Sequence, residues 1–369
     1  MSGNEVPHIL EAFRTNWLSS VGPQLDSFEQ AVAAYLGHDR HVLAVSSGTA
    51  ALHLILRYIG IGQGDRVAVS TLTFAGSVFP IQYMGAQPVF LDSDKASANI
   101  DAALVEDYLR NASKAGKLPK ALIVVHLYGQ HADIDSISES CMRHGVILIE
   151  DAAESLGGTY HGRPTATTAD YAILSFNGNK IITTTGGGMV VAKDPDAIAK
   201  MKKLANQSRE PTIDYCHAEL GYNYRMSNVL AAIGLGQLEV LSDRVTARRA
   251  VAERYVAAFQ DTPGISLFPE QPWGIHTRWL SVFLIDSTVY SANSHDLVTA
   301  LVEFDIEARP VWRPMHTQPL YAKAESIGGA IAEELHIQGI CLPSSSSLHI
   351  ADQEYVIERL QWCLDGFRY

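Results

Sequence analysis

Residues 175–190 read SFNGNKIITTTGGGMV. An apolar run, YAILSF at 171–176, leads into them and predicts a buried strand; a second apolar run starts after the glycines. Between the two runs stands one cation, Lys180, among Asn177, Gly178, Asn179, a threonine triplet and three glycines. A lysine in a turn is ordinarily solvated. This one follows a buried strand and is flanked by residues that let backbone and ligand approach closely.

Working outward, apolar runs alternate with helical patterns. VLAVS at 42–46 is followed by SGT and by Leu52, Ile55, Leu56 and Ile59 at helical spacing. RVAVS at 66–70 leads into a predicted helix, then PVFL at 88–91 and a helix from near Asp101. ALIVVH at 121–126 precedes a helix over 133–144, and VILIE at 146–150 ends on Asp151. Continuous apolar strands interleaved with helices predict an α/β fold with a mostly parallel sheet covered on both faces. Ligands of such sheets lie beyond the carboxyl ends of the strands. The candidate segments are therefore Ser46–Thr49, Thr71–Phe74, His126–Gln130, Asp151–Glu154 and Ser175–Lys180. From 226 to 260 the pattern is long and helical, and WLSVFLI, SHDLVTALVEF and ADQEYVIERLQWCL follow as strand, capped helix and helix. The expected division is a large domain over 1–245 and a small α/β domain over 246–369, joined by a helix.

Composition narrows the function. The 369 residues carry a formal net charge of −12 without a basic run, which argues against nucleic acid as a partner. Cys141, Cys216, Cys341 and Cys363 are far apart with no CxxC pair, as expected in a reducing compartment. The first residues, MSGNEVPHILEAFRTNW, lack a basic start followed by an apolar core, and no apolar run is long enough for a bilayer. The expectation is a cytoplasmic protein with no membrane partner. HLYGQH at 126–131 offers two histidines five apart, a weak metal signature, and no metal is expected. GIGQGD at 60–65 follows a helix and precedes a strand, the reverse of a dinucleotide loop, and reads as a turn.

The chemistry gathers around Lys180. A partly desolvated lysine has a lowered pKa and becomes a usable amine nucleophile. Asp151 at a neighbouring strand end could keep a pyridinium nitrogen protonated, and together the two suggest pyridoxal phosphate. SSGTAAL at 46–52 places Gly48 and Thr49 at a helix start, either an anion site or an ordinary cap. Ser175 could add a hydroxyl donor. Phe74 could stack on a flat ring or simply fill a core. The cluster EARPVWRPMHTQP at 307–319 is either a rigid loop or a recognition site for an anionic, ring-containing substrate, and spacing alone does not choose.

Taken in order, SSGTAALHL, GDRVAVSTLTFAGS, GAQPVFLDSD, HLYGQHADID, LIEDAAESLGGTYHGR, SFNGNKIITTTGGGMV, GYNYRMSNVLAAIGLGQL, ARPVWRPMHTQPLY and CLPSSSSLH resemble the nucleotide-sugar aminotransferases of the DegT/DnrJ/StrS type. These are fold-type I pyridoxal phosphate enzymes, and the matching segments span nearly the whole chain. The resemblance implies a large domain with a mixed, mostly parallel sheet sandwiched by helices, and a smaller C-terminal α/β domain. It implies that Lys180 is the Schiff-base lysine and carries protons. Asp151 would pair with the pyridine nitrogen, Phe74 would stack on the ring, and Gly48, Thr49 and Ser175 would hold the phosphate. Glu154, expected one helical turn past Asp151, would lie near the ring or the substrate. Asn223 would reach the phosphate from a second subunit of a homodimer with shared sites. Arg313 and His316 would contact the substrate.

SFNGNK and DAAESLG are most similar to the branch that aminates UDP-linked 4-keto-6-deoxy-N-acetylhexosamines, with glutamate as donor. The implied product is UDP-4-amino-4,6-dideoxy-N-acetylglucosamine, a precursor of bacillosamine-type sugars. Relatives also act on GDP-4-keto-6-deoxymannose or dTDP-keto sugars, and a non-catalytic regulator with this fold is the remaining alternative. Thr185 and Leu230 depart from residues frequent in the family, without touching Lys180 or Asp151. Dehydratase relatives carry histidine in place of the lysine.

Overall fold

The computed structural model describes residues 1–37 and 39–368. Among them the main sheet has eight strands. They lie in the order His41–Val45, Gly188–Ala192, Tyr171–Ser175, Ile147–Asp151, Ala121–Val125, Arg66–Ser70, Gln87–Leu91 and Glu325–Ile327. Only Gly188–Ala192 runs against its neighbours; the other pairings are parallel. Ala121–Val125, in the middle, is buried at every residue because helices cover both faces. On one face Leu52, Ile55 and Leu56 of the helix Gly48–Tyr58 pack with Val67, Ile123 and Ile173. On the other, the helices Ala102–Lys114 and Ile134–His144 pack with Leu122, Val124 and Leu148.

The predicted helix after Ser70 is instead a 3₁₀ turn, Ala75–Ser77, and a short helix, Phe79–Tyr83. Pro80 has no N–H to continue a helical ladder back through Gly76. The segment after Asp151 also differs. Residues 153–157 form a turn, with Ser155 N–H donating to Ala152 O and Gly158 N–H to Ser155 O at three-residue spacing. Glu154 is therefore held by a turn and not by a helical one.

The long helical stretch divides into Asn228–Leu238 and Leu241–Phe259. Leu241 and Val245 belong to the large core with Phe28, Phe176 and Trp279. Val251, Tyr255 and Phe259 belong to a separate core with Phe283, Leu297 and Leu360. The expected boundary at 245/246 thus falls inside a helix that enters both cores. The second core is built on an antiparallel sheet ordered Ile265–Leu267, Ser281–Ile285, Gly339–Leu342 and Arg309–Pro310. Part of the C-terminal segment returns to the first sheet, where Glu325–Ile327 pairs in parallel with Gln87–Leu91.

Asn228–Leu238 lies against the helices Glu5–Arg14 and Pro23–Leu36. The approach is close because Gly234 has no side chain: a Cβ there would stand 2.6 Å from Phe28 Cζ. Gly234→Val is expected to lower stability by about 1–3 kcal/mol through overpacking. Adding Phe28→Leu to it should cost less than the two single changes summed, because the two sites share one space. Denaturant titration of the four proteins checks both expectations.

Candidate active site

The parallel strands end on one side of the sheet, and the side chains beyond them enclose a cavity of about 360 Å³. Lys180, Asp151, Glu154, Ser175, Gly48, Thr49 and Phe74 all line it. The register explains part of this convergence. Asp151 pairs with Val125 on one side and Ile173 on the other, and Ser175 pairs with Gly188. A Cβ on Gly188 would stand 2.3 Å from the Ser47 carbonyl carbon, so only glycine lets that strand pass the helix start. The same closeness sets Ser175 beside Gly48, where an added Cβ would be 3.3 Å from Ser175 Cβ.

The helix start is capped by Ser47, whose side chain accepts from the Ala50 N–H at 3.0 Å. Its first N–H groups have no partner within the helix and favour an anion. Asp151 is buried and accepts from Ser77 Oγ at 2.6 Å and from the Ala153 N–H at 3.1 Å. Ser77 lies 2.7 Å from Thr73 Oγ1. Since Ser77 donates its proton to the carboxylate, Thr73 donates to Ser77. Glu154 is buried and accepts from the Tyr128 N–H at 2.7 Å. Its other oxygen is 3.8 Å from Lys180 Nζ.

Lys180 exposes 12% of its side chain. Burial pushes its amine below the ordinary lysine range, against the upward pull of Glu154 and Asp151. Burial likewise pushes the Glu154 carboxyl above its ordinary range, opposed by Lys180 and by the Tyr128 N–H. Lys180 Nζ also lies 4.0 Å from the ring centroid of Trp279. The Trp279 indole N–H donates to Asn179 O at 2.7 Å and so holds the residue before the lysine. Thr73 and Asn179 belong to the expected segments Thr71–Phe74 and Ser175–Lys180, whereas Trp279 and Ser77 were not expected here. Ser77 and Thr73 lie within the family-like segment GDRVAVSTLTFAGS, but nothing local to Trp279 marks it.

These residues fit pyridoxal phosphate. An amine, a buried carboxylate with two hydrogen-bond donors fixing it, and a helix N-terminus share one cavity. Phe74 is 58% exposed at this cavity and free to cover a ring.

Three expected residues stand apart from it. Asn223 is exposed, flanked by Tyr222 and Tyr224, whose rings stack at 5.0 Å. Arg313 lines a neighbouring groove of about 620 Å³ with Arg309, Trp279 and Trp312, and donates to Thr317 O at 3.0 Å. His316 is outside the cavity lining, with Nδ1 2.6 Å from Thr71 Oγ1 and Nε2 3.1 Å from Glu333.

The two histidines of HLYGQH are buried, with rings 4.5 Å apart. His126 accepts from the Ala132 N–H at Nδ1 and donates from Nε2 to Glu150 at 2.9 Å. Among the described residues no group of three or more His, Cys, Asp or Glu side chains is arranged to hold a metal, and no helix is long and apolar enough to cross a membrane. Burial holds His131 well below the ordinary histidine range, with His126 and Arg163 adding to the effect. Such a group stays neutral in the folded chain while the unfolded chain gains a proton below about pH 6.5. Stability is therefore full above that pH and is lost as the pH falls. His131→Gln should make the loss between pH 6.5 and 5 shallower, by a slope that rises toward about 1.4 kcal/mol per pH unit at the acid end. Denaturant titrations across that interval measure it.

Comparison with known proteins gives the family and the fold. Residues 1–361 match the DegT/DnrJ/EryC1/StrS aminotransferase family. EpsN of Bacillus subtilis, by its name a pyridoxal phosphate-dependent aminotransferase, is 46% identical over 364 residues, covering 98% of this chain and 93% of EpsN. The GDP-perosamine synthase of Caulobacter vibrioides is 39% identical over 370 residues, covering 99% and 96%. The fold superimposes on the crystal structure of a DegT DnrJ EryC1 StrS aminotransferase from Brucella abortus with a TM-score of 0.89, at 27% identity, over 98% of this chain and 95% of that one.

Proposed function

The chain belongs to the DegT/DnrJ/EryC1/StrS aminotransferase family, whose members are pyridoxal phosphate-dependent sugar aminotransferases, and from that premise we propose that it moves the amino group of glutamate to C4 of a UDP-linked 4-keto-6-deoxy-N-acetylhexosamine. The product is UDP-4-amino-4,6-dideoxy-N-acetylglucosamine. The observation that carries the chemistry is the single amine, Lys180, buried beside Glu154 in the cavity that Asp151 also lines.

Pyridoxal phosphate, when bound, supplies an electron sink at the reacting carbon and carries the amino group from donor to acceptor. The N–H groups of Gly48 and Thr49 and the hydroxyl of Ser175 bind its phosphate. Asp151, oriented by Ser77, holds the ring nitrogen protonated. Phe74 covers the ring. Lys180 Nζ takes a proton from one carbon and returns it to another. Burial lowers its pKa, which favours the neutral amine that acts as the base. Glu154 stands beside Nζ and stabilises the charge that arises there.

Arg313 supplies the groove next to the cavity with a cation for a diphosphate, while Arg309 in the same groove is paired with Glu307 at 2.7 Å. His316 supports the same segment through Thr71 and Glu333. Asn223, exposed on the single chain, reaches the phosphate of a second copy in a homodimer. The helix Leu241–Phe259 joins the two domains. The reaction takes place in the cytoplasm, where nucleotide sugars and glutamate are at hand.

A GDP-linked 4-keto-6-deoxyhexose is the second reading, favoured by the 39% identity to a GDP-perosamine synthase. UDP is preferred because SFNGNK and DAAESLG are most similar to the UDP-sugar branch. With glutamate as donor, kcat/KM for the UDP-linked keto sugar is expected to exceed that for the GDP-linked one at least about tenfold, roughly 1.4 kcal/mol of discrimination. A preference for the GDP sugar would establish the second reading instead. Lys180→Ala is expected to lose more than about a thousandfold in turnover. Glutamate should also stop changing the visible absorption of the cofactor-loaded protein. An unimpaired variant would remove Lys180 from the chemistry.

A further inference from the structure

Lys180 Nζ is placed by three rings as well as by its own loop. Trp279 is almost fully buried and stacks on Tyr128, with centroids 6.3 Å apart and planes 23° apart. Tyr128 stacks in turn on Trp312, at 6.2 Å and 19°. The Tyr128 hydroxyl accepts from the Trp312 backbone N–H at 2.9 Å, which ties the stack together. The amine rests against Trp279 with its nitrogen 4.0 Å from the ring centroid, a cation–π distance.

We propose that the face of Trp279 is the docking place of the Lys180 amine whenever that amine is free, and that it holds the amine as an ammonium at the cofactor cavity. Trp279 is thus a positioning residue that acts through Lys180. This rests on the reading of Lys180 as the cofactor lysine and base. In that reaction the amine must be freed, accept a proton and give it up without leaving the site. A ring face suits the task because it favours the charged form without offering a competing base. Glu154, at 3.8 Å, favours the ammonium from a different element, and Asp151 adds to it. Burial and Arg248 act the other way. Arg248 is itself anchored to the Trp279 and Ser344 carbonyl oxygens. With these influences opposed, the ring helps decide where the amine titrates.

The test substitutes fluorinated tryptophans at position 279 by nonsense suppression in the full-length protein. Fluorine withdraws charge from the ring face, keeps its shape and leaves the indole N–H able to donate to Asn179. Lys180 is then methylated with formaldehyde and cyanoborohydride across pH, and its modification is read by peptide mass spectrometry with and without added pyridoxal phosphate. The expected result without cofactor is a pH inflexion that falls stepwise with fluorine number. Between tryptophan and tetrafluorotryptophan it should fall by about one unit, or about tenfold faster methylation below the inflexion. Trp279→Leu should fall at least as far, and Trp279→Phe should retain most of the wild-type profile. An inflexion that ignores fluorination overturns the inference, since a packing role alone does not sense ring charge. Shielding of Lys180 by added cofactor separates the two levels. If the wild type is not shielded, the reading of Lys180 as the cofactor lysine fails. If it is shielded while fluorination has no effect, only the role of Trp279 fails.

Discussion

A lysine amine buried beside a buried carboxylate is the constraint around which the structure is arranged. Removing such charges from water is costly unless each keeps partners, and here each does. Lys180 has Glu154 and the face of Trp279. Glu154 has the Tyr128 N–H. Asp151, nearby, has Ser77 and the Ala153 N–H. With the loop of Lys180 itself, these groups come from five separate stretches of chain, so the site exists only when all of them have folded together.

Tyr128 joins these stretches. It is a non-glycine residue at φ 54°, a conformation that costs energy for an L side chain. That backbone geometry lets one residue serve three neighbours: its N–H serves Glu154, its hydroxyl serves Trp312, and its ring lies near those of Trp279 and Trp312. The C-terminal part of the chain is thereby fastened to the cavity of the N-terminal part. Glu325–Ile327 makes a second attachment at the edge of the main sheet.

Much of the fold is legible in the chain because buried parallel strands leave a strong local trace. Ala121–Val125 is apolar at every position, and it is buried at every position. Helix starts are also local, and Asp101 and Asn293 cap the helices that follow them through their own side chains. The errors fall where the hydrogen-bond pattern is not periodic. The stretch around Phe74 carries Pro80 and breaks into a 3₁₀ turn and a short helix. Glu154 sits in a turn with three-residue spacing, although its side chain still reaches the expected cavity. His316 lies outside the cavity lining and finds its partners in Thr71 and Glu333, 245 and 17 residues away along the chain, which no spacing rule connects to it.

By itself the sequence determined the alternation of strands and helices, the loop carrying Lys180 and the strand end carrying Asp151. Each depends on residues adjacent in the chain: apolar runs, small residues, a carboxylate at a strand end. Only the tertiary structure decided what surrounds the amine. Trp279 lies 99 residues beyond Lys180 along the chain and meets it because the C-terminal core docks on the large one. Ser77 meets Asp151 across the sheet, and Tyr128 meets Glu154 through a left-handed backbone. Hydrogen bonds and ring contacts act over a few ångströms of space, and distance along the chain does not reveal them.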